Sequence, residues 1–184
     1  MKTKIKYFPI LLLMLLTLTS CTKDDGPIDP RTDFEGEYKM EPFQYRYLET
    51  YESEVVNDTT LTVDQHPHIV LKIADGYLDK MEMDVRELVE DLVYSSISSF
   101  GGSPFIVTVE NEHPRLIAIT GNEFTMDGTI FNVTISTGQA QIQFRTGISG
   151  TGSFSENEIN FDFEATIYGD GNAIMTGTPA GTKF

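Results

Sequence analysis

The amino-acid sequence predicts a mostly β single domain, either an antiparallel β-barrel or a β-sandwich, with one amphipathic helix at about residues 85–99. Apolar and polar residues alternate from Ile159 to Ile167, which is typical of a strand with one buried and one wet face. Turn-forming glycines lie before this run, at Thr137-Gly138 and from Gly147 to Gly152. Short alternating strands joined by tight turns indicate an antiparallel meander.

The other strands are predicted from β-branched and aromatic residues. Glu37 to Tyr47 is rich in aromatics, and Pro42 restricts this segment to an edge, a bulge or two shorter strands. The remaining candidates are Thr60–Val63, Ile69–Ile73, Phe105–Val109, Leu116–Ile119, Phe124–Met126, Phe131–Ile135 and Ala140–Phe144. Closing the sheet into a barrel and packing two sheets face to face both protect the strand edges, so both forms stay open at this point.

One segment has helical rather than alternating periodicity. Its apolar residues recur three or four positions apart, at Val85, Leu88, Val89, Leu92, Val93 and Ile97. We expect Asp84 to cap the first turn together with Glu87, as in a capping box, and Gly101-Gly102 to end the helix. The acidic residues Glu87, Glu90 and Asp91 are predicted to lie on a solvated face. The apolar stripe then has to cover the flank of a sheet or one open end of a barrel.

The N-terminus resembles a bacterial lipoprotein signal peptide. Three lysines within the first six residues precede an apolar run from Ile10 to Leu18, which is too short to span a bilayer. Small residues lead to Cys21, the only cysteine of the chain. This arrangement resembles a lipobox, which implies cleavage between Ser20 and Cys21 and lipidation of the Cys21 thiol. With a single cysteine the chain has no disulfide of its own, so the fold depends on its core.

The sequence divides into a signal peptide at 1–20, a lipidated tether at 21–33 and a β-rich domain at 34–184. Lys23-Asp24-Asp25, directly after the cysteine, resembles the export signal of Bacteroides-type surface lipoproteins. The resemblance implies a lipid anchor in the outer membrane with the domain facing the cell surface; an anchor facing the periplasm is the alternative. Two prolines and a glycine between Gly26 and Pro30 are typical of a tether.

The domain also resembles the calycin- or lipocalin-like lipoproteins of the same bacterial group. The resemblance is carried by Phe34-Glu35-Gly36-Glu37-Tyr38 at its start, and by Gly150-Thr151-Gly152 and Met175-Thr176-Gly177-Thr178 near its end. In that family a glycine before an aromatic residue begins the first strand, and late strands carry further glycines. The resemblance implies a barrel of eight to ten strands that encloses a small apolar ligand.

Composition and motifs exclude several classes of function. The chain carries a formal net charge of −15, which repels nucleic acid, so no nucleic-acid partner is expected. Nucleophile-elbow, zinc-protease and phosphate-loop motifs are all missing from the sequence, so no catalytic residue and no cofactor is predicted. His66, His68 and His113 are the only histidines, and Pro67 favours a turn over a zinc site, so no metal is predicted.

Two speculative sites remain. Phe43, Tyr45, Tyr47 and Tyr51 occupy odd positions and would share one face of a strand, where they form either a stacking platform for sugar or lipid or part of the core. Thr59, in Asp58-Thr59-Thr60, resembles an O-glycosylation acceptor of these bacteria.

Three functions therefore stand at this stage. The first is a binding protein with a small apolar ligand inside a barrel, which predicts a cavity of several hundred Å³. The second is an accessory module that contacts a surface protein through an exposed apolar patch. The third is a hydrolase, which requires two carboxylates that converge in a cleft and have shifted pKa values. The sequence favours binding over catalysis.

Overall fold

A computed structural model describes residues 28–99, 104–110, 115–169 and 171–184. The strands are β1 (Gly36–Met40), β2 (Phe43–Tyr51), β3 (Glu54–Val63), β4 (His68–Ile73), β5 (Lys80–Asp84), β6 (Phe105–Glu110), β7 (Arg115–Thr120), β8 (Glu123–Thr137), β9 (Ala140–Ser155), β10 (Glu158–Tyr168), β11 (Asn172–Gly177) and β12 (Ala180–Lys183). The α-helix of this part of the chain, α1, is Arg86–Ser99, and a 3-10 turn at Pro30–Asp33 precedes β1. Of the alternatives that the sequence left open, the barrel is confirmed.

The barrel is a simple antiparallel meander. Its twelve strands occupy eight positions, because β1 and β2 share one position, as do β3 and β4, β6 and β7, and β11 and β12. At one end, which we call the closed half, the ring β12-β1-β4-β5-β7-β8-β9-β10 closes through the pairing of β10 with β12. The long strands β8, β9 and β10 run on into the other half. The predicted interruption at Pro42 is confirmed, since Glu41 and Pro42 separate β1 from β2.

The other half, which we call the helix half, has seven strands and the helix. Strand β5 ends at Asp84, so β3 and β6 are left without a strand between them, and α1 packs against both. The apolar face of α1 is buried, through Leu88, Val89, Leu92 and Val93. Its far side touches strands opposite the gap, because the Ser96 hydroxyl lies 3.5 Å from the Met175 sulfur on β11. The helix therefore lies across the gap, and its buried face packs into the interior of this half.

The start of α1 differs from the predicted capping box. The helix begins at Arg86, and the Asp84 carboxylate accepts a hydrogen bond from the Arg86 backbone N–H at 3.1 Å. Glu87 does not turn back to Asp84 but accepts a hydrogen bond from the His68 backbone N–H at 2.9 Å. Asp84 thus caps the helix as expected, whereas Glu87 ties its first turn to β4.

Residues of the predicted tether form part of the packed domain. The Arg31 side chain is 7% exposed, and its Nη1 donates to the Tyr77 carbonyl at 2.6 Å and to the Lys80 carbonyl at 2.8 Å. Its Nε and Nη2 donate to the Asp29 carboxylate. The packed structure therefore begins before Phe34, at the end of the closed half where β4 and β5 are connected.

Two glycines on β9 make room for aromatic rings inside the closed half. A Cβ on Gly152 would lie 2.2 Å from the Phe124 ring and 2.3 Å from the Asn160 carbonyl oxygen. A Cβ on Gly150 would lie 2.3 Å from the Asp162 carbonyl oxygen and 2.7 Å from the Phe161 ring. Because backbone atoms are among these neighbours, rotation of a side chain cannot relieve the overlap. The spacing of Gly150 and Gly152 is thus a packing requirement.

Replacing Gly152 by Ala is expected to destabilise the protein by about 1–3 kcal/mol, because the added methyl overpacks the barrel against the Phe124 ring and the β10 backbone. Gly138→Ala is the matched control, since a Cβ there meets nothing within 4 Å, and its effect should stay within about 0.5 kcal/mol. Urea unfolding of both variants measures the difference, and equal stabilities would contradict the packing role of Gly152.

Candidate functional site

Side chains fill the interior of the barrel. In the closed half, the inward residues of seven strands are almost fully buried: Tyr38, Met40, Ile69, Leu71, Met81, Met83, Ile117, Phe124, Met126, Phe154, Ile159 and Phe161. In the helix half, the inward residues pack against α1 instead of enclosing space. An apolar ligand would have to displace this core, so the described interior does not support the predicted ligand cavity.

The four aromatic residues of the predicted platform are not together on the surface. Phe43, Tyr45 and Tyr47 are 9%, 1% and 7% exposed, whereas Tyr51 at the β2–β3 turn is 52% exposed. Buried rings offer no face to a sugar or lipid from solution, so core packing, the alternative weighed from the sequence, describes the first three. The stacking platform is therefore a wrong prediction for these three residues.

Tyr45 has a structural task in this core. Its hydroxyl lies 2.8 Å from the Ser95 hydroxyl and 2.9 Å from the Ser96 hydroxyl of α1. Burial raises the pKa of Tyr45, and burial raises that of Tyr47 to about 12, so both phenols are neutral at physiological pH. Tyr45 thereby fixes β2 to the last turns of the helix.

The other predicted sites are dispersed. The Thr59 side chain is half-buried on the face of β3 that carries Leu61, and its glycosylation stays a prediction. His66 Nδ1 lies 3.0 Å from the Met40 carbonyl, and His68 Nδ1 lies 3.1 Å from the Glu37 carboxylate. Ser20, Cys21 and His113 lie outside the described residues. Among the residues that are described, no three His, Cys, Asp or Glu side chains are grouped closely enough to hold a metal ion.

The acidic residues of α1 are not all simply solvated. Asp91 is half-buried, and burial, followed by the nearby charges of Glu90 and Glu87, raises its pKa to about 6. Burial also raises the pKa of Glu90. These carboxyl groups do not line the surface grooves described next.

Asp91→Asn is expected to stabilise the protein above pH 6. Because the pKa of Asp91 is raised in the folded state, its ionisation lowers the free energy of unfolding. This loss is complete above about pH 6 and disappears below pH 3.8, the pKa of the carboxyl group in the unfolded chain. The gain at pH 7.5 should be about 1 kcal/mol, since solvent screening reduces the effect of a half-buried group. Thermal unfolding between pH 4 and pH 8 measures it. The control Glu164→Gln, exposed on β10, should show no such gain, and a gain independent of pH would contradict the assignment.

Two grooves lie on adjoining strands of the described outer surface. The larger, about 610 Å³, lies on β7–β10 of the closed half, and the smaller, about 400 Å³, lies on β6, β8 and β9 of the helix half. Cross-strand pairing places the lining side chains in rows on the outward face: Ala118-Thr125-Thr151-Asp162 and Thr120-Glu123-Ser153-Asn160 in the larger groove, and Thr108-Thr134-Gln143 and Glu110-Asn132-Arg145 in or beside the smaller. We call these four rows the polar face.

Hydroxyl and amide groups predominate on the polar face, although the chain as a whole is strongly acidic. Arg145 is exposed and makes no ion pair with any residue that the structure describes. Glu110 lies two strands away in the same row, with Asn132 between them. Among the described residues, the smaller groove therefore combines an arginine without an ion pair, a carboxylate and amides, and carries little net charge.

An aromatic ring extends the row of the smaller groove. Tyr168 on β10 pairs with Arg145, and a Cβ on Gly147 would lie 2.9 Å from the Tyr168 hydroxyl and 3.2 Å from its ring. The Tyr168 ring therefore packs on the β9 backbone at Gly147. Glycine has no side chain, and this leaves room for the contact. Tyr168 remains 46% exposed. Sequence reasoning missed this face because its residues occupy the wet positions of alternating strands.

The fold and this face define the class of protein: a single antiparallel β-barrel with a side-chain-filled interior and hydroxyl- and amide-rich grooves on its outer surface. No helix in the described part of the chain is long and apolar enough to cross a membrane.

No known protein family and no curated protein matches the sequence. Among solved structures, the barrel is similar to Ail, the attachment invasion locus protein of Yersinia pestis. In complex with the heparin analogue sucrose octasulfate, Ail is 9% identical with a TM-score of 0.43, and the match covers 82% of this chain and 99% of that chain. For Ail without that ligand, identity is 8% and the TM-score 0.42, at the same coverage.

Proposed function

We propose that the chain is a lipid-anchored binding protein of the outer membrane that recognises a neutral glycan through its polar face. Cys21 carries the lipid, and the barrel stands in water at the cell surface. The polarity of β10 supports this, because its outward residues Asn160, Asp162 and Glu164 are exposed and polar. A barrel embedded in lipid needs an apolar outward belt instead.

The observation that carries the proposal is a hydroxyl- and amide-rich face on a barrel whose interior is full, with one arginine and one carboxylate in the row of its smaller groove. Amides and hydroxyls both donate and accept hydrogen bonds, as do the hydroxyl groups of a sugar. Polyanionic ligands are disfavoured, because the chain carries a net charge of −15. Neutral sugars have no such penalty.

The row of the smaller groove supplies the two kinds of contact that sugar recognition uses. The exposed face of the Tyr168 ring is available to the apolar face of a pyranose. Arg145 and Asn132 follow it in register and offer several hydrogen-bond donors. Strand neighbours in such a row are spaced by about 5 Å, so the row is long enough for an oligosaccharide.

Calorimetric titration with neutral oligosaccharides of several lengths is expected to give saturable binding. Tyr168→Ser should weaken it at least about tenfold, and so should the double variant Asn132→Ala/Gln143→Ala, because stacking and amide hydrogen bonds are lost. Gln44→Ala is the matched control, since Gln44 is an exposed amide on β2, outside the polar face. Its affinity should be unchanged.

Absence of binding by every neutral oligosaccharide would contradict the proposal, as would equal losses in the Gln44→Ala control. The second candidate is contact with a surface protein through the β2–β3 turn. There Tyr51, Val55 and Val56 are 52%, 61% and 57% exposed, and Glu52 and Ser53 adopt positive φ. A protein partner lost in Val55→Lys but retained in Tyr168→Ser would favour this candidate.

Cys21→Ala is expected to release the protein from the membrane fraction of cells that export it, because the anchor is the acyl chains on that thiol. Ser20→Ala is the matched control, since alanine keeps a small residue before the cysteine, and this variant should remain in the membrane fraction. Fractionation followed by immunoblotting measures the partition. Membrane association of Cys21→Ala equal to that of the unmodified sequence would contradict the lipid anchor.

A further inference from the structure

The end of the closed half that holds the N-terminal segment also exposes apolar side chains. Leu78, in the connection between β4 and β5, is 94% exposed, and Ile28 is 79% exposed. Tyr77, beside Leu78, is 44% exposed, and the Lys80 amine lies 4.8 Å from the centre of its ring. We call Ile28, Tyr77 and Leu78 the tether-end patch. Three exposed apolar side chains at one end of the barrel, rather than one alone, indicate a contact surface.

Arg31 holds the parts of this patch together. Its Nη1 donates to the carbonyls of Tyr77 and Lys80, while its Nε and Nη2 bind Asp29, the residue after Ile28. The Arg31 guanidinium lowers the pKa of Asp29 to about 2, so this ion pair persists at every physiological pH. The segment that leads to the N-terminus and the loop that bears Leu78 are therefore fixed to the same end of the barrel.

The length of chain before the patch limits its distance from an anchor at Cys21. Six residues lie between Cys21 and Ile28, and the seven steps of a fully extended chain cover at most about 3.6 Å each, so Ile28 lies within about 25 Å of Cys21. This step rests on the lipid anchor of the proposed function. With the anchor in place, the tether-end patch is the part of the described domain that a bilayer meets first.

We propose that the tether-end patch docks on the lipid surface. Leu78 and Ile28 then lie at the boundary between headgroups and acyl chains, and Tyr77 lies at headgroup level. Aromatic side chains with a polar end are typical of that level. Asp75 and Asp79 flank Tyr77 and Leu78, so neutral headgroups are favoured over anionic ones. Docking of this end directs the barrel axis outward from the bilayer surface. The polar face then remains accessible from solution.

The absence of tryptophan from the chain allows a direct test. The chain from Cys21 onward contains every described residue, and its only thiol can be coupled to a maleimide lipid in phosphatidylcholine vesicles. Leu78→Trp then reports on the tether-end patch. Val55→Trp, on β3 at the opposite end of the barrel and also exposed, is the matched control. Both substitutions replace exposed side chains, so the fold is retained, and circular dichroism checks this.

On coupled vesicles, Leu78→Trp is expected to shift its emission to shorter wavelength and to be quenched by brominated acyl chains at least about twofold more than Val55→Trp. Replacing a third of the lipid by phosphatidylserine should reduce that difference. Emission of Leu78→Trp unchanged from the free protein would overturn the proposal. So would a shift that appears without vesicles and grows with protein concentration, because a second copy of the chain would then cover the patch. In this experiment the lipid is coupled chemically to Cys21. The result therefore does not depend on whether cells lipidate Cys21, which the Cys21→Ala fractionation tests separately.

Discussion

The structure depends on how the barrel is completed where β5 stops. Strand β5 ends at Asp84, which leaves β3 and β6 unpaired with each other, and α1 closes the gap from inside. Its apolar face packs on the strands, and its serines bind the Tyr45 hydroxyl on β2. The buried side chains of this helix occupy the space that a ligand would need. In the proposed function, recognition therefore takes place on the outer surface, where β8 and β9 present the polar face.

Much of this fold could be predicted from the sequence. The alternation from Ile159 to Ile167 lies within β10, and the helical spacing from Val85 to Ile97 lies almost wholly within α1. Pro42 divides β1 from β2 because proline cannot donate a backbone hydrogen bond to a neighbouring strand. These features follow from local periodicity and backbone chemistry, which can be inferred directly from the sequence.

The filled interior and the site could not be predicted in the same way. Whether a barrel encloses a cavity depends on the sum of side-chain volumes and on where the helix packs. The periodicity of a sequence predicts neither quantity. The run Phe43, Tyr45, Tyr47 shows one face of a strand but not whether that face meets water or α1. Tyr168 and Gly147 are 21 residues apart, and only strand register brings the ring onto the glycine. Asp91 looks solvated in the sequence, yet its raised pKa follows from its position against the sheet.

If ligands bind outside a full barrel, the methionines of the interior should not sense them. The methyl groups of Met40, Met81, Met83, Met126 and Met175 all lie in the interior, while the side-chain amides of Asn132 and Gln143 lie on the polar face. NMR spectra of both sets, recorded during titration with neutral oligosaccharides and then with a medium-chain fatty acid, separate the two locations. The account predicts that oligosaccharide shifts the amide signals and that neither ligand shifts the methyl signals. Saturable shifts of the interior methyl signals by the fatty acid would contradict it.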